Sequence, residues 1–235
     1  MANANVAVIV AHPDDEVLAF GGTMYRHADD GDTVSTLILA TGLASRNDTD
    51  AIDDSALAEL REDAAKANRL LGVSDLQFGD FPDNRMDTVP LLDVVKRVQA
   101  FIQQKQPQVV YSHHDGDLNI DHGVVARAVL TACRPVPGSA VRYLFSGEIL
   151  SSTEYGFPET RFAPNCYVGI EDQLSRKCEA MNLYGGEVRE WPHPRSADAI
   201  KHQARLRGSE CGYEAAEGMS LIRAVQPSTD GLLWR

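Results

Sequence analysis

Apolar positions in this chain fall into short β-branched runs separated by longer stretches of helical recurrence. Val6-Ala7-Val8-Ile9-Val10 is nearly continuous, as expected of a strand covered on both faces in a parallel sheet. From Asp15 to His27 the apolar side chains Val17, Leu18, Phe20, Met24 and Tyr25 recur at helical spacing, interrupted by Gly21-Gly22. Paired glycines weaken a helix, so their presence predicts a close approach by another backbone or by a ligand. Thr33 to Ala40 predicts a second strand, a polar loop follows from Ala44 to Asp54, and an amphipathic helix runs from about Ser55 to Leu71. Leu76-Gln77-Phe78 and Val109-Val110-Tyr111 predict further strands around a helix from about Val89 to Gln104. The pattern continues with a helix from about Asp121 to Cys133, strands in Arg142–Ile149 and Asn165–Ile170, and helices over Glu171–Tyr184 and Ala197–Arg207. Strands alternating with helices predict an α/β fold with a mostly parallel sheet.

Composition narrows this picture. At 235 residues with 43% hydrophobic content, the chain is long enough for one large α/β domain. A net charge of -12 argues against nucleic acid or an anionic membrane surface as partner. No segment approaches the roughly 20 apolar residues of a membrane span, and the N-terminal run is too short for a signal peptide. Four widely spaced cysteines without a C-x-x-C pair fit free thiols in a reducing compartment. The expectation is a cytoplasmic protein without membrane insertion, of a size at which homo-oligomers are common.

Chemistry concentrates at two strand ends. The first strand runs into Ala11-His12-Pro13-Asp14-Asp15-Glu16, and the strand at Val109–Tyr111 runs into Ser112-His113-His114-Asp115-Gly116-Asp117-Leu118-Asn119-Ile120-Asp121-His122. Ligands of open α/β sheets collect at such ends. A catalytic zinc takes three protein ligands and leaves a position to water. His12 and Asp15 on a tight turn and His122 from a neighbouring strand end can supply those three. Asp14 is then left to take a proton from metal-activated water, which is metal-assisted hydrolysis. Taken singly, an Asp-Asp pair reads as a solvated turn or cap, His122, His113 and His114 as surface or capping histidines, and Arg61 as an ion-pair partner. The joint pattern overturns those readings for the two His/Asp clusters, while for Arg61 the pattern alone leaves a grip on an anionic substrate as the minority reading. Two readings from other classes compete: a magnesium-dependent phosphoacceptor signalling module, which leaves His12 unexplained, and a metal-holding protein without catalysis, which leaves Asp14 unexplained.

Ala11 to Glu16 followed by Gly21-Gly22-Thr23, then Asp117 to His122, resembles the zinc-dependent PIG-L/LmbE-like N-acetylglucosamine deacetylases. Arg61-Glu62-Asp63 before Leu71-Gly72, and Arg207-Gly208 with Ala216-Glu217, extend the similarity over most of the chain, so residues 1–235 are expected to form a single domain of this type. The resemblance implies a Rossmann-like three-layer fold and hydrolysis of the acetamide of an N-acetylated amino sugar or its conjugate, releasing acetate and a free amine. It implies zinc on His12, Asp15 and His122, with Asp14 as general base and Arg61 contacting a small-molecule substrate. One position departs from the pattern: where some members have an oxyanion-stabilising histidine, this chain has Asn119. An Asn amide can donate to an oxyanion but cannot protonate the leaving amine, which leaves that task to Asp14, His113 or His114. Glu16 receives no direct role. Segments from about Ser45 to Asp54 and from Tyr155 to Pro164 are the expected specificity loops.

Overall fold

The computed structural model describes residues 3–41 and 54–227. Among them the strands are β1 (Asn5–Val10), β2 (Thr33–Ala40), β3 (Asp75–Phe81), β4 (Val109–His113), β5 (Tyr143–Gly147), β6 (Cys166–Gly169) and β7 (Ala216–Ala224). The helices are α1 (Asp15–Asp29), α2 (Asp54–Leu70), α3 (Leu91–Lys105), α4 (Ile120–Ala132), α5 (Leu174–Asn182) and α6 (Ala197–Cys211). One sheet runs in the order β3-β2-β1-β4-β5-β7-β6. The β1–β2, β1–β4, β2–β3 and β4–β5 pairs are parallel, and β7 is antiparallel to both of its neighbours.

Side chains of β1 alternate between two cores, which explains why that strand is apolar throughout. Val6, Val8 and Val10 pack with apolar residues of α1, α2 and α5, while Ala7, Ile9 and Ala11 pack with those of α3 and α4. The result is the expected Rossmann-like three-layer arrangement with a mostly parallel sheet. Crossovers through α1 and α2 lie on one face and those through α3 and α4 on the other, so the winding reverses between β1 and β4. Crevices for ligands open at that reversal, beyond the carboxyl ends of the strands.

The periodicity captured most elements and missed one. β7 has no strand signal in the sequence, because its first half, Ala216-Glu217-Gly218-Met219, carries none of the branched residues that mark a strand. β4 runs on to His113, beyond the expected Val109–Tyr111, and α5 is shorter than the expected Glu171–Tyr184. The expected specificity loop from Ser45 lies outside the described residues up to Asp54, which opens α2. No helix among the described residues is long and apolar enough to cross a membrane.

The double glycine of α1 does mark a close approach, but by side chains of the neighbouring segments and not by the backbone or ligand expected. A Cβ on Gly22 would approach Ile170 side-chain atoms to 2.8–2.9 Å, and one on Gly21 would meet Lys177 Cγ at 3.1 Å. A buried ion pair uses the space. Lys177 Nζ donates to Glu217 Oε1 at 2.6 Å and to the Leu18 carbonyl at 2.8 Å, while Gly22 N–H and Thr23 N–H donate to the two Glu217 oxygens at 2.9 and 2.7 Å. Both side chains are nearly inaccessible, at 3% and 4% exposure. Removing one partner would leave an uncompensated charge in the core. Lys177→Met is therefore expected to lower unfolding stability by about 3–5 kcal/mol, read from urea denaturation.

Candidate active site at the β1–β4 crevice

The turn after β1 delivers three acidic residues in three directions. Asp14 precedes α1 with φ of 100°, a backbone conformation uncommon outside glycine, and Asp15 and Glu16 occupy the first helical turn. Carboxylates are favoured there by the exposed N–H groups and dipole of the helix start. Asp15 Oδ2 accepts from the His12 N–H at 2.8 Å, which closes the turn.

The structure brings His12, Asp15 and His122 together. His12 Nδ1, Asp15 Oδ2 and His122 Nε2 form a triangle with sides of 3.3, 3.3 and 3.4 Å. Asp15 Oδ1 is buried without a hydrogen-bond partner. Three donors placed 2.0–2.2 Å from a tetrahedral zinc would be roughly 3.3–3.5 Å apart, so residue types and spacing fit such an ion. Each histidine meets carboxylate oxygens at its far nitrogen, His12 by a hydrogen bond and His122 by an ionic contact. His12 Nε2 lies 3.0 Å from Asp121 Oδ2 and 3.2 Å from Asp83 Oδ1, and His122 Nδ1 lies 3.1 Å from Asp117 Oδ1. Carboxylates in this position fix the ring and raise its basicity. Asp117 is held in turn by the hydroxyls of Ser152 and Thr153, and Asp121 by the N–H groups of Asn84 and Met86 at 2.6 and 2.9 Å.

Charge follows from these contacts. Burial disfavours a cationic His122, but Asp15 and Asp117 outweigh it and lift the imidazole to about 9. His12 is raised against the same burial by Asp121, Asp15 and Asp83. Asp15 is held well below the usual carboxylate range, since His122 and His12 outweigh its desolvation. Asp14 goes the other way: burial raises it, against the pull of Arg195. Asp14 Oδ2 has no hydrogen-bond partner and lies 3.2 Å from Arg195 Nη1.

The remaining anticipated residues have other settings. His114 Nε2 lies 2.6 Å from the Thr160 carbonyl, and its ring meets Phe162 edge-on, so it faces the loop after β5 and not the triangle. His113 takes the place beside His122, stacked at 4.0 Å between ring centroids. Its Nε2 accepts from the Ala11 N–H at 2.8 Å, and burial next to His122 lowers it to about 3. Asn119 caps α4, its oxygen accepting from the Asp121 N–H at 2.9 Å and its amide donating to Asn84 Oδ1 at 3.0 Å. Arg61 Nη2 reaches the Gly79 carbonyl at 3.5 Å, and its guanidinium lies over Phe78.

Four participants carried no distinct sequence signal. Asp83 was visible only as turn chemistry after β3, Asp117 and Asp121 as flanks of His122, and Arg195 as a charge in a proline-containing loop. Proximity of the three aspartates depends on the sheet order, which brings the ends of β3 and β4 to that of β1, while Arg195 arrives on the loop before α6.

The PIG-L family, described as GlcNAc-PI de-N-acetylase, matches residues 7–133, which include the whole triangle. The chain belongs to the PIG-L family. Among its relatives, the uncharacterised deacetylase YaiS of Escherichia coli is 30% identical over 137 residues, covering 56% of this chain and 69% of that protein. A probable N-acetyl-alpha-D-glucosaminyl L-malate deacetylase 2 of Bacillus cereus is 28% identical over 192 residues, 78% of this chain and 84% of the relative. The N,N'-diacetylchitobiose deacetylase of Pyrococcus horikoshii, solved with an inhibitor, superposes with a TM-score of 0.76 at 19% identity, covering 97% and 88% of the two chains. The 4-carboxy-2-hydroxymuconate hydratase GalB of Pseudomonas putida superposes with a TM-score of 0.73 at 19% identity over 97% and 99%. One fold thus carries a deacetylase and a hydratase, so the PIG-L fold alone does not select the reaction.

Glu16, the last residue of the acidic run, completes the PIG-L turn from beneath. Its Oε2 accepts from the Asp14 N–H at 3.2 Å, and its Oε1 accepts from Asn68 Nδ2 at 2.9 Å and from the Tyr184 hydroxyl. Burial pushes the carboxyl up to about 7. Glu16→Ala is expected to lower stability by about 1–3 kcal/mol for each buried donor left unpaired, read as a fall in the urea midpoint at constant slope.

Proposed function

We propose that this chain is a zinc-dependent N-deacetylase that hydrolyses the acetamide of an N-acetylated amino sugar or a conjugate of one. The observation that carries the reading is the His12–Asp15–His122 triangle, with Asp15 and His122 buried and His12 half-buried, next to the buried Asp14 in a chain of the PIG-L family. His12, Asp15 and His122 would hold the ion, and Asp83, Asp121 and Asp117 would orient the two imidazoles. When bound, zinc supplies Lewis acidity and lowers the pKa of water from 15.7 towards about 7.

The protein's own groups supply the proton transfers. Asp14 Oδ2, buried yet without a hydrogen bond, is set to accept a proton from the attacking water. The same carboxyl suits the return of that proton to the departing amine. His113 is a weaker donor, because its Nε2 already accepts from Ala11 and its conjugate acid is too strong to persist near neutrality. His114 faces Thr160 and the Asn119 amide is no acid, so Asp14 carries both transfers in this reading. The substrate class is supported by the relatives, two of whose names specify an N-acetylated sugar or sugar conjugate.

An acetate-release screen of the zinc-loaded protein against N-acetylglucosamine, N,N'-diacetylchitobiose and thiol- or malate-linked N-acetylglucosaminides tests the reading. Turnover of at least one, abolished by chelation, is the expected result; zinc bound with no acetate from any would remove it. Asp14→Ala should lose about 10²–10⁴-fold in kcat and retain one zinc per chain. Substitution of His12, Asp15 or His122 should lower the zinc content itself.

Proton competition gives a second check. A histidine whose folded pKa is raised contributes stability below its unfolded value of about 6.5, and that contribution is lost as pH rises through the folded value. For His122 this window ends at about 9. Zinc binds the neutral imidazole, so its apparent affinity changes in the opposite sense. The difference in Tm between zinc-loaded and metal-free protein should therefore widen from pH 6 to pH 9; a constant difference would count against ligation by His122.

A further inference from the structure

The segment between α5 and α6 brings into the crevice an arginine that neither metal binding nor proton transfer explains. Arg195 Nη1 lies 3.2 Å from Asp14 Oδ2 and 2.9 Å from Glu187 Oε2, and Nε donates to Ser151 Oγ at 2.8 Å. These partners come from three places: the start of α1, the turn after α5 and the loop after β5. The arginine is mounted firmly. Its N–H donates to His193 Nδ1 at 3.1 Å, its carbonyl accepts from the Arg189 N–H at 3.4 Å, and the next residue, Ser196, caps α6.

Asp14 needs such a partner. It is 1% exposed, its backbone lies at φ of 100°, and its Oδ2 makes no hydrogen bond. The contact with Arg195 is therefore ionic without hydrogen-bond alignment, and it holds the carboxylate while leaving the lone pairs of that oxygen open. A guanidinium suits this task better than an ammonium, because its planar fork spans several acceptors at once while a lysine offers a point charge.

We propose that Arg195 is the positioning residue of Asp14: anchored by Glu187 and Ser151, it fixes the Asp14 carboxylate beside the His12–Asp15–His122 triangle. The inference rests on the deacetylase reading for the role of Asp14 as base. Two other roles make different predictions. An arginine that grips substrate would change KM, and a purely structural strut would change folding and zinc content together.

The test uses the zinc-loaded full chain with Arg195→Ala and Arg195→Lys, assayed for acetate release from N-acetylglucosamine and N,N'-diacetylchitobiose. Expected is a fall in kcat of about 10- to 100-fold for Arg195→Ala, with KM within about twofold and one zinc per chain. Arg195→Lys should recover part of the loss, and guanidinium ion added to the assay should restore part of the activity of Arg195→Ala. Combining Arg195→Ala with Asp14→Ala should cost no more than Asp14→Ala alone, since the arginine acts only through that carboxylate. A rise in KM at unchanged kcat, or loss of zinc in both variants, would overturn the proposal. Should Arg195→Ala fail to fold, Arg195→Lys carries the same readouts. If the wild type releases no acetate, the deacetylase reading fails by itself, and crystal structures of the variants still decide the positioning role: an Asp14 carboxylate in its original rotamer without the guanidinium would refute it.

Discussion

Charge buried in a protein must be matched, and the β1–β4 crevice is built around that constraint. His12 lies among Asp15, Asp83 and Asp121, His122 between Asp15 and Asp117, and Arg195 between Asp14 and Glu187. No single pair is isolated, so a change at any member alters the ionisation of its neighbours. Carboxylates outnumber the cations in this group, and a divalent cation among the imidazoles and Asp15 would offset that excess. The same electrostatics explain why His113 stays neutral. Stacked on His122 and buried, it fills space and accepts the Ala11 N–H without adding a second positive charge beside the first.

α1 is the beam that carries this cluster. Its start presents Asp14, Asp15 and Glu16, and its middle is gripped by Lys177 and Glu217 where Gly21 and Gly22 let α5 and Ile170 approach. The clamp ties the helix to β7, the strand that turns antiparallel to the rest. A helix fixed at its centre as well as at its packed face has little freedom to slide, which a site defined to a few tenths of an ångström requires.

Much of this was legible in the sequence where the signal was local. Continuous apolar residues in β1, the branched run of β2 and the helical recurrence of α3 and α4 each report burial on a fixed period, and burial is what the sheet imposes. The double glycine foretold close packing, though by side chains of Ile170 and Lys177 and not by a backbone or ligand. The convergence of His12, Asp15 and His122 was readable because both segments end parallel strands. β7 was not, since a strand at this position is held by its neighbours and by Glu217 reaching inward, and its own residues do not declare it. Asp83 and Arg195 were equally hidden. Their partners are set by strand order and by the path of the loop before α6, neither of which leaves a local pattern. Asn119 shows the converse: a polar side chain in a motif is drawn into capping α4, because the helix start needs an acceptor for the Asp121 N–H.

The acidic run after β1 shows how backbone geometry separates identical chemistry. Asp14 and Asp15 are adjacent carboxylates, yet burial and Arg195 surround one while two imidazoles surround the other. The left-handed backbone at Asp14 makes this separation. It turns the first carboxylate toward the loop before α6, while the helical turn that follows sends Asp15 to His12 and His122 and Glu16 to Asn68 and Tyr184. A non-glycine residue in that conformation costs about 1–3 kcal/mol and persists only where its surroundings over-determine it. Here they do: the Asp14 N–H is bound by Glu16, its carbonyl accepts from Val17 and Leu18, and its carboxylate faces Arg195. Three consecutive acids are thus buried with separate partners: Arg195 for Asp14, the two imidazoles for Asp15, and Asn68 and Tyr184 for Glu16.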